Sequence, residues 1–421
     1  MKKLLIAIIL TTVFCSCHHE DEPENNLGLR TVLVYMAAEN NLSDFAYADI
    51  EEMKTGSLSL NDKQNLILYV DRANSKTTPF LVRVKGGELV DTVYMEEGLA
   101  ADPTVMERVI RKTKTLYPAK SYGMVLWGHA SGWIISEDDS ISHANSRAYG
   151  GSTGNNTSSG AGKYWMNIPQ MSKAIARAMG SDKMKFIFGD CCSFACLEVA
   201  YELRSVADYT IGSPAEIPDM GAAYNLVVPD LFDEKETFYR SIIDHYYDYC
   251  LEEYQKNPDY FFNRTHGDLV GYSVPLAAFK SDELQQFGVA INQLLQTISD
   301  KLSTTGQLNL EGVVYYAQYG SYRYSYDMYH TLKNNTSYSD FSSWVTSFNK
   351  AVPYHRHSQK WMSTSYSLIN DMNHFDAPDS DCGDISMFFP DKYYELTRPN
   401  WNKAIQLYQW NDMISWQNYG W

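Results

Sequence analysis

Two short apolar runs of this chain end in residues that can carry out nucleophilic chemistry. The run Val125–Gly128 leads into His129, and the run Phe186–Asp190 leads into Cys191 and Cys192. A cysteine reacts as its thiolate, and an imidazole close by is the usual base that generates the thiolate. Both runs are typical of buried strands, and open α/β sheets place their sites where strands end. The pattern therefore predicts a cysteine nucleophile beside a histidine base, with either cysteine eligible.

Strands and helices alternate along the part of the chain that would position these residues. Buried strands are predicted over Thr31–Ala38, Asn65–Asp71, Met184–Phe188 and Tyr209–Gly212, with helices near 43–53, 103–116 and 168–179 between them. This alternation predicts a largely parallel sheet with helices on both faces. A hairpin over 80–94 is expected at the sheet edge. Beyond residue 232 the pattern loosens into aromatic-rich helices with a late strand at Ile385–Pro390.

The first residues of the chain are typical of a targeting segment. Two lysines precede the apolar run Leu4–Leu10, which is too short to span a bilayer, and the chain turns polar after Cys17. A small residue before a cysteine at this position resembles a bacterial lipoprotein signal with Cys17 as the lipidated residue. The acidic run Glu20–Glu22 resembles a surface-export tag of Bacteroidetes lipoproteins. We expect an exported lipoprotein of the outer membrane or cell surface, held to the membrane by its lipid; the alternative is an ordinary cleaved signal peptide.

Composition describes a folded, acidic protein. The hydrophobic fraction is 44% and the aromatic fraction 14%, and the net charge of −16 argues against nucleic acid as the main partner. The cysteines at Cys196, Cys250 and Cys382 match neither zinc spacing nor a disulfide framework, so we expect them to serve packing. His355 and His357 are expected on the solvated surface. No metal or cofactor is predicted, and a calcium requirement stays open.

Two blocks of this sequence resemble the signatures of a known family. Their residues are Trp127-x-His129-x-x-Gly132-Trp133, and Asp190-x-Cys192 followed by Glu198-Val-Ala-Tyr201. They resemble the signature blocks of clostripain-like cysteine peptidases, and Thr31–Leu42 and Tyr69–Arg72 resemble the amino-terminal strands of that family. The resemblance covers about residues 31–224. It implies a caspase-like α/β/α sandwich with a mainly parallel central sheet, followed here by an aromatic-rich carboxy-terminal extension.

The resemblance also implies roles for individual residues. His129 would be the general base and Cys192 the nucleophile, with Cys191 at the variable position before it. The backbone N–H groups of Ala130 and Cys192 would form the oxyanion hole. Relatives usually have glycine where Ala130 stands. An alanine keeps the N–H group, but a positive φ there would cost about 1 kcal/mol or more.

Specificity is expected to depend on acidic residues near the nucleophile. In relatives the acid matching Asp190 lies by the pocket for the residue before the scissile bond, where a buried carboxylate selects Arg or Lys. The alternative for Asp190 is a strand-end carboxylate that caps the next helix. The loop that begins at Ser213 is expected to form another pocket wall and to contact substrate. Because this loop lacks the acidic run usual in relatives, the choice between Arg and Lys stays open.

Self-cleavage is expected in the insert between the two signature blocks. Residues 134–164 are dominated by Gly, Ser, Asn and Asp, a composition that predicts a mobile segment without a packed element. Arg147 and Lys163 are its basic residues, and Arg147 lies nearer the histidine. We expect cleavage after Arg147, which would leave Ala148 as a new amino terminus. Relatives are similarly matured by internal cleavage.

These observations divide the chain and predict its activity. The expected parts are a signal peptide at 1–16, an acidic linker at 17–29, a peptidase core at 30–231 and an extension at 232–421. The predicted activity is a cysteine endopeptidase that cleaves peptides and proteins after Arg or Lys. The alternative is a surface binding protein or adhesin on a caspase-like frame that has lost its chemistry.

Overall fold

The computed structural model describes most of the chain after its first 26 residues. The described residues are 27–73, 78–134, 148–155, 157–158, 162–257, 271–305, 307–319, 322–375, 379–390 and 399–419. Cys17, Arg147 and the predicted signal peptide at 1–16 lie outside them. Within these ranges, no helix is both long and apolar enough to cross a membrane.

Eleven strands form the main sheet. They are β1 (Gly28–Ala38), β2 (Gln64–Arg72), β3 (Phe80–Lys85), β4 (Glu88–Tyr94), β5 (Ala119–Ala130), β6 (Tyr149–Ser152), β7 (Tyr164–Met166), β8 (Met184–Asp190), β9 (Ala207–Gly212), β10 (Leu276–Lys280) and β13 (Tyr354–Arg356). The strand order is β13-β10-β9-β8-β5-β1-β2-β3-β4. Outside this order, β6 pairs with β5, and β7 pairs with β6. The pairs among β9, β8, β5, β1 and β2 are parallel, and the outer pairs are antiparallel.

Helices cover both faces of this sheet. They are α1 (Phe45–Gly56), α2 (Pro103–Leu116), α3 (Ile168–Met179), α4 (Leu197–Leu203), α5 (Tyr224–Leu231), α6 (Phe238–Lys256), α7 (Ser281–Gln296), α8 (Ser299–Thr305), α9 (Met328–Asn335), α10 (Tyr338–Ala351), α11 (Tyr366–Asp371), α12 (Pro399–Ala404) and α13 (Gln409–Ile414). Short 3₁₀ turns lie at Ser57–Ser59, Met372–His374, Asp379–Asp381, Ile405–Leu407 and Trp416–Tyr419.

Alternation along β1 shows how the two layers of core arise. Val32, Val34 and Met36 belong to the apolar cluster that includes α1, α5 and α6, whereas Leu33 and Tyr35 belong to the cluster on the opposite face. Successive side chains of a strand point to opposite faces, so a strand buried on both faces is apolar throughout. The predicted mainly parallel sheet between helical layers is therefore confirmed.

A second sheet brings the carboxy-terminal part of the chain to the middle of the first. Its strands are β11 (Tyr315–Tyr319), β12 (Tyr322–Asp327) and β14 (Ser386–Met387), in the order β11-β12-β14. The Ser386 N–H donates to the Ala195 carbonyl at 3.0 Å, and Ser386 also bridges Cys196. The late strand thus lies against the segment that follows the cysteine pair.

Part of the insert is ordered, contrary to expectation. Residues 148–152 are buried, and β6 pairs with β5 so that His129 faces Gly150 and Ala130 faces Tyr149. The prediction that 134–164 holds no packed element is therefore wrong for β6. The expected hairpin at the sheet edge is confirmed as β3 and β4.

Candidate active site

The pairing of β5 with β8 brings the two signature blocks together. These strands run parallel with Trp127 opposite Asp190, so His129 and Cys192 each lie two residues beyond a paired position. Neighbouring strands are about 4.8 Å apart, which places the two segments side by side at the carboxyl edge of the sheet. Their loops also touch, because a Cβ at Gly132 would lie 2.8 Å from the Ser193 carbonyl oxygen.

A sharp turn sets the two cysteines in different environments. Ser193 has a φ of +55°, an uncommon conformation for a residue other than glycine, and its N–H donates to the Ala215 carbonyl. Cys191 is 0% exposed within the core, whereas Cys192 is partly exposed. Of the two thiols, Cys192 is therefore the one that a substrate can reach.

The environment of Cys192 favours the neutral thiol. Its sulfur accepts from the Ile217 N–H at 3.4 Å. Burial, and next the negative charge of Glu216, raise the pKa of this thiol to about 12. Glu216 is fixed in place because its carboxylate accepts from the N–H and the hydroxyl of Thr364. The thiol therefore needs a base, or a change in its surroundings, before it can react.

The ring of His129 is held by a residue that the sequence did not reveal. Nε2 of His129 lies 2.7 Å from Oδ1 of Asn41, and the imidazole lies 6.3 Å from the ring of Trp165. Asn41 belongs to the turn between β1 and α1. Asn41 lies in the block Thr31–Leu42, and nothing in that block indicated a contact with the histidine.

Ala130 is compatible with the expected oxyanion hole. It lies at the end of β5 and is not among the residues with positive φ, so its Cβ causes no strain of that kind. The Ser131 N–H donates to the Ala148 carbonyl, which makes Ala130 and Tyr149 a pair without mutual hydrogen bonds. The Ala130 N–H therefore points away from β6 and is oriented for another acceptor.

Asp190 is buried and accepts three hydrogen bonds. It is 3% exposed, and its carboxylate accepts from the hydroxyls of Tyr224 at 2.7 Å and Tyr246 at 2.9 Å and from the Ala222 N–H at 3.2 Å. Burial raises the pKa of this carboxyl, and the three donors oppose that rise. Its donors come from outside the following helix, so Asp190 does not act as the cap of that helix.

A second buried carboxylate lies beside it. Asp49 on α1 accepts from the Trp127 indole N–H at 2.5 Å. A Cβ built on Gly221 would lie 2.8 Å from Oδ2 of Asp190 and 3.4 Å from Oδ2 of Asp49, so both carboxylates face this glycine. Burial, and next the charge of Asp190, raise the pKa of Asp49 well above its usual range. Within the described ranges, neither carboxylate has a Lys or Arg partner.

Two other predicted site residues are buried. Ser213 is 0% exposed; its Oγ accepts from the Ala215 N–H at 3.1 Å and its carbonyl from the Ala195 N–H at 2.8 Å. These hydrogen bonds hold the loop that begins at Ser213 against the segment that follows Cys192. Contact of Ser213 with substrate stays a prediction. Ala148 is also 0% exposed, next to β6.

The histidines near the carboxyl end pair with a carboxylate. His355 and His357 lie 2.7 Å and 2.8 Å from the two oxygens of Asp384, which is fully buried. The expectation of a solvated surface is therefore wrong, because this carboxylate draws both rings inward. No group of three metal-ligating side chains occurs in the part of the chain that the structure describes.

Comparison with known proteins finds a family and several solved structures that this chain resembles. The sequence profile of the clostripain family matches residues 34–421. A secreted C11 cysteine protease from Bacteroides thetaiotaomicron, solved with an irreversible peptide inhibitor, is 27% identical with a TM-score of 0.71, covering 93% of this chain and 99% of that one. An inactive zymogen C11 protease from Parabacteroides distasonis has a similar fold, with 22% identity, a TM-score of 0.67, and coverage of 92% and 98%. No curated protein matches the chain.

Proposed function

Because the chain belongs to the clostripain family of cysteine peptidases, we propose that it hydrolyses peptide bonds with Cys192 as the nucleophile and His129 as the base. The register that sets both residues two positions beyond the paired Trp127 and Asp190 carries this proposal. The partial exposure of Cys192 and the complete burial of Cys191 support the choice of thiol.

The reaction proceeds in two steps, the formation of a thioester and its hydrolysis. His129 takes the proton of the Cys192 thiol, and the sulfur attacks the scissile carbonyl carbon. The N–H groups of Ala130 and Cys192 donate to the oxygen that becomes negative. The C–N bond then breaks, the amine leaves with the proton from His129, and a thioester remains. Water hydrolyses the thioester, which regenerates the thiol and releases the acid.

The proposed specificity is for Arg or Lys before the scissile bond. Asp190 and Asp49 are two buried carboxylates that face Gly221 without a cationic partner in the described ranges. Burying two like charges is unfavourable, and a guanidinium or ammonium group between them would offset much of that cost. A basic substrate side chain supplies that charge, whereas an acidic one would add a third negative charge.

The proposed activation is cleavage after Arg147. Ala148 immediately precedes β6, and its carbonyl accepts from the N–H of Ser131, two residues after the proposed catalytic histidine. Cleavage there would act on a bond next to the site itself. The matched protease from Parabacteroides distasonis is described as an inactive zymogen, which supports a precursor form here.

The proposed location is outside the cytoplasm, with Cys17 as the site of lipid attachment. The first matched structure is of a protease described as secreted. Labelling cells with a radioactive fatty acid tests this: wild type should incorporate label and Cys17→Ala should not. Label in both variants would overturn the assignment of Cys17.

A panel of peptides that differ only before the scissile bond tests activity and specificity together. We expect turnover of the Arg and Lys members, and none of the Glu or Leu members. Cys192→Ala and His129→Ala should each abolish turnover while leaving the circular dichroism spectrum unchanged. Preference for an acidic or apolar residue would overturn the specificity, and full activity in Cys192→Ala would overturn the mechanism.

A further inference from the structure

We infer that Arg72, stacked on Tyr47, forms a subsite for a carboxylate of the substrate that lies after the scissile bond. The inference rests on the proposed function, because it adds a second point of recognition to the proposed reaction. Its observation is that the guanidinium carbon of Arg72 lies 3.7 Å from the centre of the Tyr47 ring. Arg72 is the last residue of β2 and is partly exposed, and Tyr47 lies exposed in the first turn of α1.

The guanidinium of Arg72 is held in place while its hydrogen-bonding capacity is unused. Nε and Nη1 are buried and have no hydrogen-bond partner among the described residues. Asp44, whose negative charge acts on Arg72, is exposed, so solvent and salt weaken that attraction. Burying unpaired donors is unfavourable, and a carboxylate that docks on the exposed part of the group would offset this cost. The stacking on Tyr47 fixes the plane of the guanidinium in advance, which lowers the entropy lost on binding.

A continuous surface connects this pair to the proposed base. Nε2 of His129 lies 2.7 Å from Oδ1 of Asn41, which is exposed in the turn between β1 and α1. The same turn is tied to the end of β2, because the Ser43 hydroxyl donates to the Ala73 carbonyl at 3.2 Å. Strands β5, β1 and β2 are neighbours in this order, and two strand spacings amount to about 10 Å. Arg72 therefore lies at the same edge of the sheet as the proposed site.

The chemistry of the reaction determines which part of the substrate reaches this surface. In the proposed mechanism His129 gives its proton to the leaving amine, so the residues after the scissile bond lie on the His129 side. The residue before that bond is bound in the proposed pocket of Asp190, at the end of β8. The direction from β8 to β5 continues across the sheet to β1 and β2. An extended peptide advances about 3.4 Å per residue, so about 10 Å corresponds to about the third residue after the bond.

Peptides with arginine before the scissile bond, and one varied residue at the second, third or fourth position after it, test the inference. In wild type, glutamate at one of these positions should raise kcat/KM roughly threefold to tenfold over glutamine, mainly through KM, and lysine should lower it. Arg72→Met should remove the difference, and Arg72→Glu should favour lysine instead. Arg111→Met, which removes an exposed arginine from α2, is the matched control and should keep the wild-type preference.

A second set of peptides identifies the source of the carboxylate. Peptides that end at the third residue as a free acid or as an amide report on a chain terminus, whereas internal glutamate reports on a side chain. A preference for either carboxylate that is lost in Arg72→Met supports the subsite and assigns its source. Equal kcat/KM for the charged and neutral members in wild type, or a preference that survives in Arg72→Met, would overturn the inference.

Binding without turnover separates this inference from the proposed function. In the full chain carrying Cys192→Ala, calorimetry should show tighter binding of the glutamate peptide than of the glutamine peptide, and adding Arg72→Met should make the two equal. Circular dichroism checks the fold of each variant, and Arg72→Gln replaces Arg72→Met if the latter does not fold. Failure of wild type to cleave any basic peptide would overturn the proposed function, whereas equal affinities for the two peptides would overturn the subsite.

Discussion

In the proposed specificity, Asp49 and Asp190 would supply negative charge from two different elements. Asp190 ends β8 and Asp49 lies on α1, and both are buried. Because burial already raises the pKa of each carboxyl, a bound cation should stabilise the ionised forms. Lowering the pH should correspondingly weaken the binding of basic substrates before it affects the nucleophile.

Neutralising either acid tests this assignment. Asp190→Asn and Asp49→Asn should each lower kcat/KM for arginyl and lysyl peptides at least tenfold, since loss of one partner of a buried charge pair costs about 2–5 kcal/mol. Alkylation of Cys192 by a neutral electrophile should change much less. Asp44→Asn, an exposed acid just before α1, is the charge-matched control. Equal losses with charged and neutral reagents would show that the acids maintain the fold.

The adjacent free cysteines Cys191 and Cys192 allow a second test. Cys191→Ala should keep most of the activity and lose some stability, because it removes a buried sulfur from the core, whereas Cys192→Ala should be inactive. Turnover by both variants and their urea denaturation curves check this. An active Cys192→Ala with an inactive Cys191→Ala would exchange the two roles.

The sequence revealed some of these residues and could not reveal others. His129 and Cys192 follow apolar runs, and that local pattern predicts a strand-end site. Asn41 and Asp49 meet the site only because the start of α1 docks onto the carboxyl edge of the sheet. A helix-start asparagine and a helical aspartate are ordinary in sequence, so nothing local distinguishes them.

Helix α4 is hydrogen-bonded to the late strand through the buried carboxyl group of Glu198. Glu198 Oε1 accepts from the Phe388 N–H at 2.8 Å, whereas Oε2 is buried without a hydrogen-bond partner among the described residues. Burial raises the pKa of Glu198 to about 8. The carboxyl is therefore protonated in the folded protein at pH values where it is ionised in the unfolded chain.

This difference gives a pH dependence of defined sign. The folded state binds the extra proton, so its stability is full below the unfolded pKa of about 4.5 and falls as pH rises toward about 8. Between these two pKa values, this residue should change the free energy of unfolding by about 1.4 kcal/mol per pH unit. Glu198→Gln should remove that slope. Chemical denaturation at pH 5 and pH 8 measures it, and identical slopes in both proteins would contradict the assignment.

The error about the insert has a physical reason in its glycines. Gly150 has a φ of +110° and a Cβ there would lie 2.9 Å from Ala101 Cβ, while Gly151 has a φ of +69° and faces the Trp165 ring. These glycines serve close packing and special backbone angles. Composition alone cannot distinguish that use of glycine from flexibility.

The proposed activation should convert the one polypeptide chain of the molecule into two. Wild type should separate into two fragments on a denaturing gel, and the larger fragment should begin at Ala148. Cys192→Ala should remain intact, because the cut requires the nucleophile. Arg147→Ala should stay whole or be cut slowly elsewhere, with Lys163→Ala as the matched control that is processed normally. An intact and fully active wild type would contradict self-cleavage.

The architecture was predictable in its centre and less so at its periphery. Alternating apolar strands and amphipathic helices predict the parallel pairs from β9 to β2. The antiparallel additions of β10 and β13, and the small sheet of β11, β12 and β14, depend on contacts between residues far apart in sequence. Local pattern does not determine such pairings.

The contact between Glu198 and Phe388 also limits when this part of the fold can be completed during synthesis. Glu198 and Phe388 are separated by 190 residues. A ribosome adds that length in about 10 to 40 seconds, and nascent chains fold from the amino end. During that interval the segment with Cys191 and Cys192 has been synthesised, whereas the late strand that contacts α4 has not. The contact between α4 and the late strand can therefore form only after the ribosome has passed Phe388.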